Sequence, residues 1–373
     1  MKKIIAFYLP QFHEIPENNK WWGKGFTEWV NVKKAKKLFT DHVQPKIPLN
    51  NNYYDLTDID VIRWQTQIAK DNNVYGFCFY HYWFNDKPLL EKPLQLFLND
   101  KTIDFPFCFS WANESWTNGW AKADASVIME QKYGDKEDWK RHFDFILPFF
   151  KDKRYICDDG KPIFVIYRPY LCSQMIDMMN YWKKLAVDSG LPGIKFISQR
   201  FENPSKYEEI YNYMDYHIEY QPDRSWLDNK NSNILRNAKS IIHKFILEFF
   251  NIDVSFNRAL SGPLRLSYDE MWNAIIKHHP FDDKAIAGGF VNWDNTPRHN
   301  KRGMVYTNSS ALKFEKYLTA QLRHIDDCYK NDYLFLFAWN EWGEGGYLEP
   351  DDENGYSYLN AIKNSIVAYE KNK

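Results

Sequence analysis

Glu341 and Glu344 are the residues of this chain whose type and spacing most directly suggest chemistry. They follow an apolar and aromatic run, Tyr333-Leu334-Phe335-Leu336-Phe337-Ala338-Trp339, and lie within Asn340-Glu341-Trp342-Gly343-Glu344-Gly345-Gly346. Acids beside a buried strand end are costly unless something pairs with them or uses them. A pair of carboxylates is the working unit of glycoside cleavage: one protonates the leaving oxygen, and the other acts as base or nucleophile. The bland alternative is two solvated loop acids, which leaves the flanking tryptophans and glycines unexplained. In an extended strand, residues i and i+3 point to opposite faces, whereas on a helical turn they share one. Both acids reach one site only if the chain turns after Asn340, and Gly343 and Gly345 make such a turn easy. The acid of the pair would need a pKa raised by burial or by its neighbour.

The run before the pair has no polar alternation, which predicts a strand covered on both faces, as in a parallel sheet. Eight such runs recur, at 4–9, 74–80, 105–111, 163–167, 194–198, 213–218, 285–291 and 333–339. Helical signals separate them. Thr57-Asp58-Ile59-Asp60 reads as a capping box ahead of Val61, Trp64 and Ile68. Phe314, Leu318, Leu322 and Ile325 repeat at helical spacing after Ser309-Ser310, as do Tyr358, Ile362 and Ile366 near the C-terminus. Alternating strands and helices predict a single (β/α)8 barrel domain over residues 1–373, with enlarged loops after the strands. A doubly wound open sheet is the alternative, but its Gly-rich phosphate loop is missing. Residues 231–256 read as a long helix between the sixth and seventh strands. It would pack on the barrel, or lie on a membrane surface through Lys239, His243 and Lys244.

Barrel active sites gather at the C-terminal ends of the strands, and polar and aromatic residues cluster at all eight ends here. The expected substrate-binding set runs through Tyr8, Gln11, His13, Trp22 and Glu28 after the first strand, then His81 and Tyr82 after the second. The third contributes Trp111, Asn113 and Glu114, the fourth Tyr167 and Arg168, the fifth Gln199 and the sixth Glu219. The seventh contributes Trp293 and Asp294, and the eighth Asn340 and Trp342 beside the two acids. Singly, each has a structural reading, because buried polar groups are commonly hydrogen-bonded. Glu28 reads equally as a third acid of the groove or as a clamp on the first loop. Asp294, Arg298, His299 and Arg302 form a polar loop, solvated or suited to a phosphate or an acidic sugar. His13 and His81 raise the question of a metal, but no H-E-x-x-H or close His/Asp cluster supports one. Asp351, Asp352 and Glu353 read as a solvated acidic turn rather than a calcium site.

Composition narrows the partners. The 48 basic and 49 acidic residues leave a net charge of -1, which offers no excess to neutralise phosphates and argues against nucleic acid. With 15 Trp, 25 Tyr and 27 Phe among 373 residues, the chain has aromatic faces to spare for the C–H faces of sugar rings. Five cysteines in no C-x-x-C spacing are a reduced, intracellular pattern. The apolar N-terminus is too short for a signal peptide, and no segment reaches the roughly 20 apolar residues of a transmembrane helix. The expectation is a cytoplasmic protein without a cofactor, with peripheral membrane contact at most.

Longer motifs carry a resemblance. Tyr8-Leu9-Pro10-Gln11-Phe12-His13, Trp22-Gly23-Lys24-Gly25-Phe26-Thr27-Glu28-Trp29, Gln44-Pro45, Tyr54-Asp55-Leu56, Trp111-Ala112-Asn113-Glu114, Trp293-Asp294-Asn295-Thr296-Pro297-Arg298 and Asn340-Glu341-Trp342-Gly343-Glu344-Gly345 span nearly the whole chain. Together they resemble the WbsX-type family, related to the family-99 glycoside hydrolases, the endo-α-mannosidases. The resemblance implies retaining cleavage through a 1,2-anhydro sugar. In that scheme Glu341 is the base on the substrate's own 2-hydroxyl and Glu344 is the acid/base. It also implies a glycan or lipid-linked oligosaccharide substrate in surface-polysaccharide metabolism. It implies an α-linked, mannose-like sugar, although the mannosidases carry a histidine where this chain has Gly343. A nucleotide-sugar glycosyltransferase and a non-catalytic glycan-binding module are the competing readings. The former lacks a Gly-rich phosphate cradle and an evident D-x-D motif.

Overall fold

Long unbroken apolar stretches can be buried on both faces only if the sheet curls on itself or is sandwiched between helices. A computed structural model of the chain, which describes residues 2–118, 126–224 and 262–371, shows both. The strands β1 (Lys3–Tyr8), β2 (Gly76–Phe84), β3 (Phe107–Trp111), β4 (Lys161–Ile166), β5 (Lys195–Ser198), β6 (Tyr216–Ile218), β7 (Ala285–Phe290) and β8 (Tyr333–Phe337) each fall on one of the eight expected runs. Every neighbouring pair is parallel. The ring closes where β1 pairs with β8, Lys3 opposite Tyr333 and Ala6 opposite Leu336. The fold is the expected (β/α)8 barrel.

The largest departures from the expected strand limits, at β2 and β6, have local reasons. β2 runs on to Phe84 because Tyr82–Phe84 pair antiparallel with Lys87–Leu89. The connection turns at Asn85 and Asp86, both with positive φ, as these two residue types tolerate. β6 starts only at Tyr216, because Tyr213 ends a preceding helix, Glu208–Tyr213.

Among the described residues the helices, in chain order, are α1 (Pro16–Trp22), α2 (Glu28–Lys34), α3 (Ile59–Asp71), α4 (Lys92–Asn99), α5 (Lys136–Phe150), α6 (Met175–Asp188), α7 (Glu208–Tyr213), α8 (Tyr268–Ile275), α9 (Thr296–His299), α10 (Ala311–Cys328) and α11 (Ser357–Glu370). α3 starts where the sequence placed it, but the Thr57–Asp60 capping box does not form, because Asp58 and not Thr57 takes the cap position. Asp58 accepts from the amide of Asp60 at the start of α3, and Ser310 accepts from that of Lys313 at the start of α10. The expected helix at 231–256 lies outside the described residues. Among those described, no helix is long and apolar enough to cross a membrane.

Strand alternation sorts the aromatics into two layers. Phe7 packs inside the barrel against Tyr80, Tyr220 and Phe335. Between strands and helices lie Trp182 and Trp272, both fully buried. The indole of Trp182 donates to the Trp139 carbonyl, and Trp272 stacks parallel to Tyr317. Burying one such side chain contributes on the order of 2–3 kcal/mol. Several of these form the rigid ring on which the strand-end loops stand.

Candidate active site

The catalytic-rim geometry starts with the short segment after β8. Asn340 and Glu341 pair antiparallel with Gly346 and Tyr347, and a single helical turn, Trp342–Glu344, fills the tip. That turn brings Glu341 and Glu344 to the same cavity, about 320 Å³, over the C-terminal mouth of the barrel. Gly345 supplies the conformation that ends the turn, with φ of 68° and no room for a Cβ, which would lie 2.8 Å from the amide nitrogen of Asp294. Gly343 acts differently. A Cβ there would lie 2.7 Å from Oε2 of Glu28 and 2.9 Å from Nε of Arg298. Its missing side chain provides space rather than an unusual φ.

That space is taken by a guanidinium. Arg298, on α9 after β7, donates from Nη1 to Oε1 of Glu344 at 2.7 Å and from Nη2 to Oε1 of Glu341 at 2.8 Å. It also meets Oε2 of Glu28 at 3.0 Å from Nη2 and 3.2 Å from Nε. Burial pushes the carboxyls of both Glu341 and Glu344 above the usual range, while the Arg298 charge pulls them down. Burial wins for both, because three carboxylates share one cation. Arg298 itself is held firmly charged by these acids against the cost of its own burial.

The walls are aromatic and polar. Gln11, Trp22, Tyr82, Glu114 and Tyr167 of the expected set line the cavity with Glu28, Glu341 and Glu344. Gln11 donates to the Tyr82 hydroxyl at 2.8 Å. Tyr80, Trp116, Tyr220, Arg298 and His299 are also among the lining residues. Tyr80 closes the expected run 74–80 instead of following it, and so is not among the residues expected after that run. Alternation from Tyr82 finds it. Arg298 was legible only as one member of a polar loop, since nothing local in the sequence pairs it with acids 43 and 46 residues away.

Several expected residues stand one layer behind the cavity. Asn113 brackets Arg168, donating to its carbonyl and accepting from its amide at 2.8 Å each. Arg168 in turn donates to Oε2 of Glu114 at 2.6 Å. Gln199, buried under the floor, donates to the Tyr80 hydroxyl and accepts from Ser110. Asn340 holds the β1 end: its oxygen accepts from the Leu9 amide and its nitrogen donates to the Leu9 carbonyl.

The rest of the expected set does not line the cavity: Tyr8, His81 and Trp111 lie on the outward faces of their strands, and His13, Glu219, Trp293, Asp294 and Trp342 lie beyond the strand ends. The hydroxyl of Tyr8 donates to Gln65 of α3. His81 shares a 2.8 Å hydrogen bond with His142 of α5, and Trp111 packs edge-on against the same imidazole. Burial lowers the pKa of His81 to about 3, so this pair is neutral. His13 is buried with a lowered pKa near Asp55 and Lys92. Glu219 accepts from Tyr329 and meets His278. Trp293 packs on Phe337. Asp294 accepts from Gln44 and Thr296 and meets His42 at 2.8 Å. Burial works to raise its pKa, but these hydrogen bonds hold it below the usual value. Trp342 stacks on Tyr347 and donates to the buried Glu349. His13 and His81 are separate, and among the described residues no group of three or more His, Cys, Asp or Glu is placed to hold a metal.

Solved structures share this architecture. An endo-α-mannosidase of glycoside hydrolase family 99 from Bacteroides thetaiotaomicron, in complex with bis-tris propane, superposes with a TM-score of 0.55 at 14% identity, covering 99% of this chain and 97% of that one. A protein described as glycoside hydrolase-like gives 0.57 at 10% identity, covering 98% and 93%. The likeness places the chain in the (β/α)8 fold class. Within that class, residues 4–362 match the family described as "Glycosyltransferase WbsX", and the chain belongs to it. WxcX, an uncharacterized protein of Xanthomonas campestris pv. campestris, is 32% identical over 369 residues, or 98% of this chain, in two strains. The chain spans about half the length of these relatives, 49%.

Proposed function

We propose that the chain is a carbohydrate-active enzyme that cleaves or transfers an α-linked, mannose-like sugar with retention, using Glu341 and Glu344. The observation that carries this reading is that both carboxyls open on one aromatic-walled cavity and are bound to one guanidinium. Trp22, Tyr82 and Tyr167 give flat apolar surfaces for sugar C–H faces, and Gln11, Glu28 and Glu114 give hydroxyl partners.

In the first step Glu341 takes the proton of the substrate's 2-hydroxyl as that oxygen attacks C1. The glycosidic C1–O bond breaks, and Glu344 gives its proton to the leaving oxygen. In the second, Glu344 takes a proton from water, or from an acceptor hydroxyl, as that oxygen attacks C1. The C1–O2 bond opens, and Glu341 returns its proton to O2. Each glutamate ends as it began, and two inversions give net retention. The raised pKa of Glu344 suits an acid at neutral pH. Glu341 is raised too, by the same burial. Its role as base therefore requires that Glu344 carries the proton when sugar is bound, with Arg298 balancing the ionised Glu341. Surface-polysaccharide metabolism and a glycan or lipid-linked oligosaccharide substrate are part of the same proposal.

Glu341→Gln and Glu344→Gln are each expected to abolish turnover of defined α-glycosides while leaving the fold intact, with the product anomer read by NMR. Full activity in both variants, or an inverted product, would sink the reading. The family's description favours a second one, a glycosyltransferase. Tight binding of a nucleotide sugar in a calorimetric panel would support it over the first.

A further inference from the structure

We propose that Arg298 is a positioning residue that holds Glu28, Glu341 and Glu344 on a single guanidinium, and that the absent side chain of Gly343 is what lets the guanidinium lie there. This rests on the proposed roles of the glutamates and adds the group that sets their balance. A planar fork can offer Nη1, Nη2 and Nε to three carboxylates at 2.7 to 3.2 Å; a lysine ammonium has one head and cannot span them. The three acids come from distant parts of the chain, α2 for Glu28 and the turn after β8 for the others. Arg298 therefore ties the first loop to the last. Only a glycine at 343 is compatible with this arrangement, since a Cβ would press on the Arg298–Glu28 contact from 2.7 and 2.9 Å.

The surrounding charges do not substitute for it. Tyr80 and Tyr82 face Glu341 from β2, and Tyr82 also faces Glu28. Asp223 faces Glu344 from beyond β6 and adds negative charge. His299, next along α9, is lowered by burial and by Arg298 itself, with Arg302 acting in the same direction. Losing the Arg298 cation thus leaves acids facing acids. The carboxyl titrations of the pair move up together, and with them both limbs of any pH–rate profile.

Carbon-13 NMR titration of glutamate carboxyls, assigned with Glu341→Gln and Glu344→Gln, tests this on the full chain without substrate. In Arg298→Gln the titrations of the pair are expected to rise by about one pH unit or more relative to the unsubstituted protein. Arg298→Lys should fall between the two. Gly343→Ala should shift them the same way by displacing the guanidinium, and it carries the test if Arg298→Gln does not fold. Given a substrate, the acid limb of kcat/KM should rise by the same amount, whereas a merely structural role would lower kcat with both limbs in place. Unmoved titrations in folded Arg298→Gln, or in Gly343→Ala where that variant carries the test, overturn the proposal. Inactivity of the unsubstituted protein on every glycan would count against the proposed function and leave the titration result standing.

Discussion

The side-chain amide of Asn340 clasps the backbone of Leu9, its oxygen 2.7 Å from the Leu9 amide and its nitrogen 3.0 Å from the Leu9 carbonyl. The contact spans 331 residues and fastens the end of the last barrel strand to the end of the first. It fixes the backbone from which Glu341 springs. Asn340→Ala would leave a buried N–H and C=O without partners, each costing about 1–3 kcal/mol. Urea unfolding should show a loss of that order, and activity should fall with it. Unchanged stability would mean that water or a backbone shift replaces the clasp.

Glu349 gives a pH prediction. Burial raises its carboxyl to about 7, although Trp342, Tyr54, Gln65 and Trp339 all donate to it. The folded protein therefore holds a proton that the unfolded chain releases near pH 4.5. That contribution to stability is complete below the unfolded value and is lost as pH rises through the folded one, at about 1.4 kcal/mol per unit. Glu349→Gln, which cannot titrate, should show a flatter stability curve between pH 4.5 and 7. An equal slope in both proteins would contradict the assignment.

The roles of the two glutamates separate by leaving group. An acid is dispensable when the departing group needs no proton, whereas a base on the 2-hydroxyl is needed throughout. Glu344→Gln is therefore expected to keep the first step, fluoride release from an α-glycosyl fluoride, with turnover slowed by the lost base of the second, whereas Glu341→Gln releases no fluoride. The reverse pattern would exchange their roles.

Trp22 tests the aromatic wall. It lines the cavity at the end of α1, with its ring 5.8 Å from that of Phe26. Losing one aromatic contact worth roughly 0.5–1.5 kcal/mol should raise KM about two- to tenfold in Trp22→Ala, with kcat changed less. Steady-state kinetics on an active glycoside decide it. A fall in kcat at constant KM would instead point to a role in the chemical step.

The sequence by itself determined the barrel. The eight apolar runs can be buried on both faces only in a closed or covered parallel sheet, and all eight are strands at the expected places. It also determined that a turn must follow Asn340 for Glu341 and Glu344 to converge, because their three-residue spacing permits nothing else. Which strand-end residues face the cavity was half legible. Side chains alternate, so Tyr82 looks inward while His81 between Tyr80 and Tyr82 looks out to α5. Local sequence gives that period without its phase, and only the closed ring fixed it. The tertiary structure alone decided the meeting of Arg298 with Glu28, Glu341 and Glu344, and with it the part played by Gly343. Those contacts join elements up to 270 residues apart, and Coulomb attraction across such separations leaves no periodic mark on the chain.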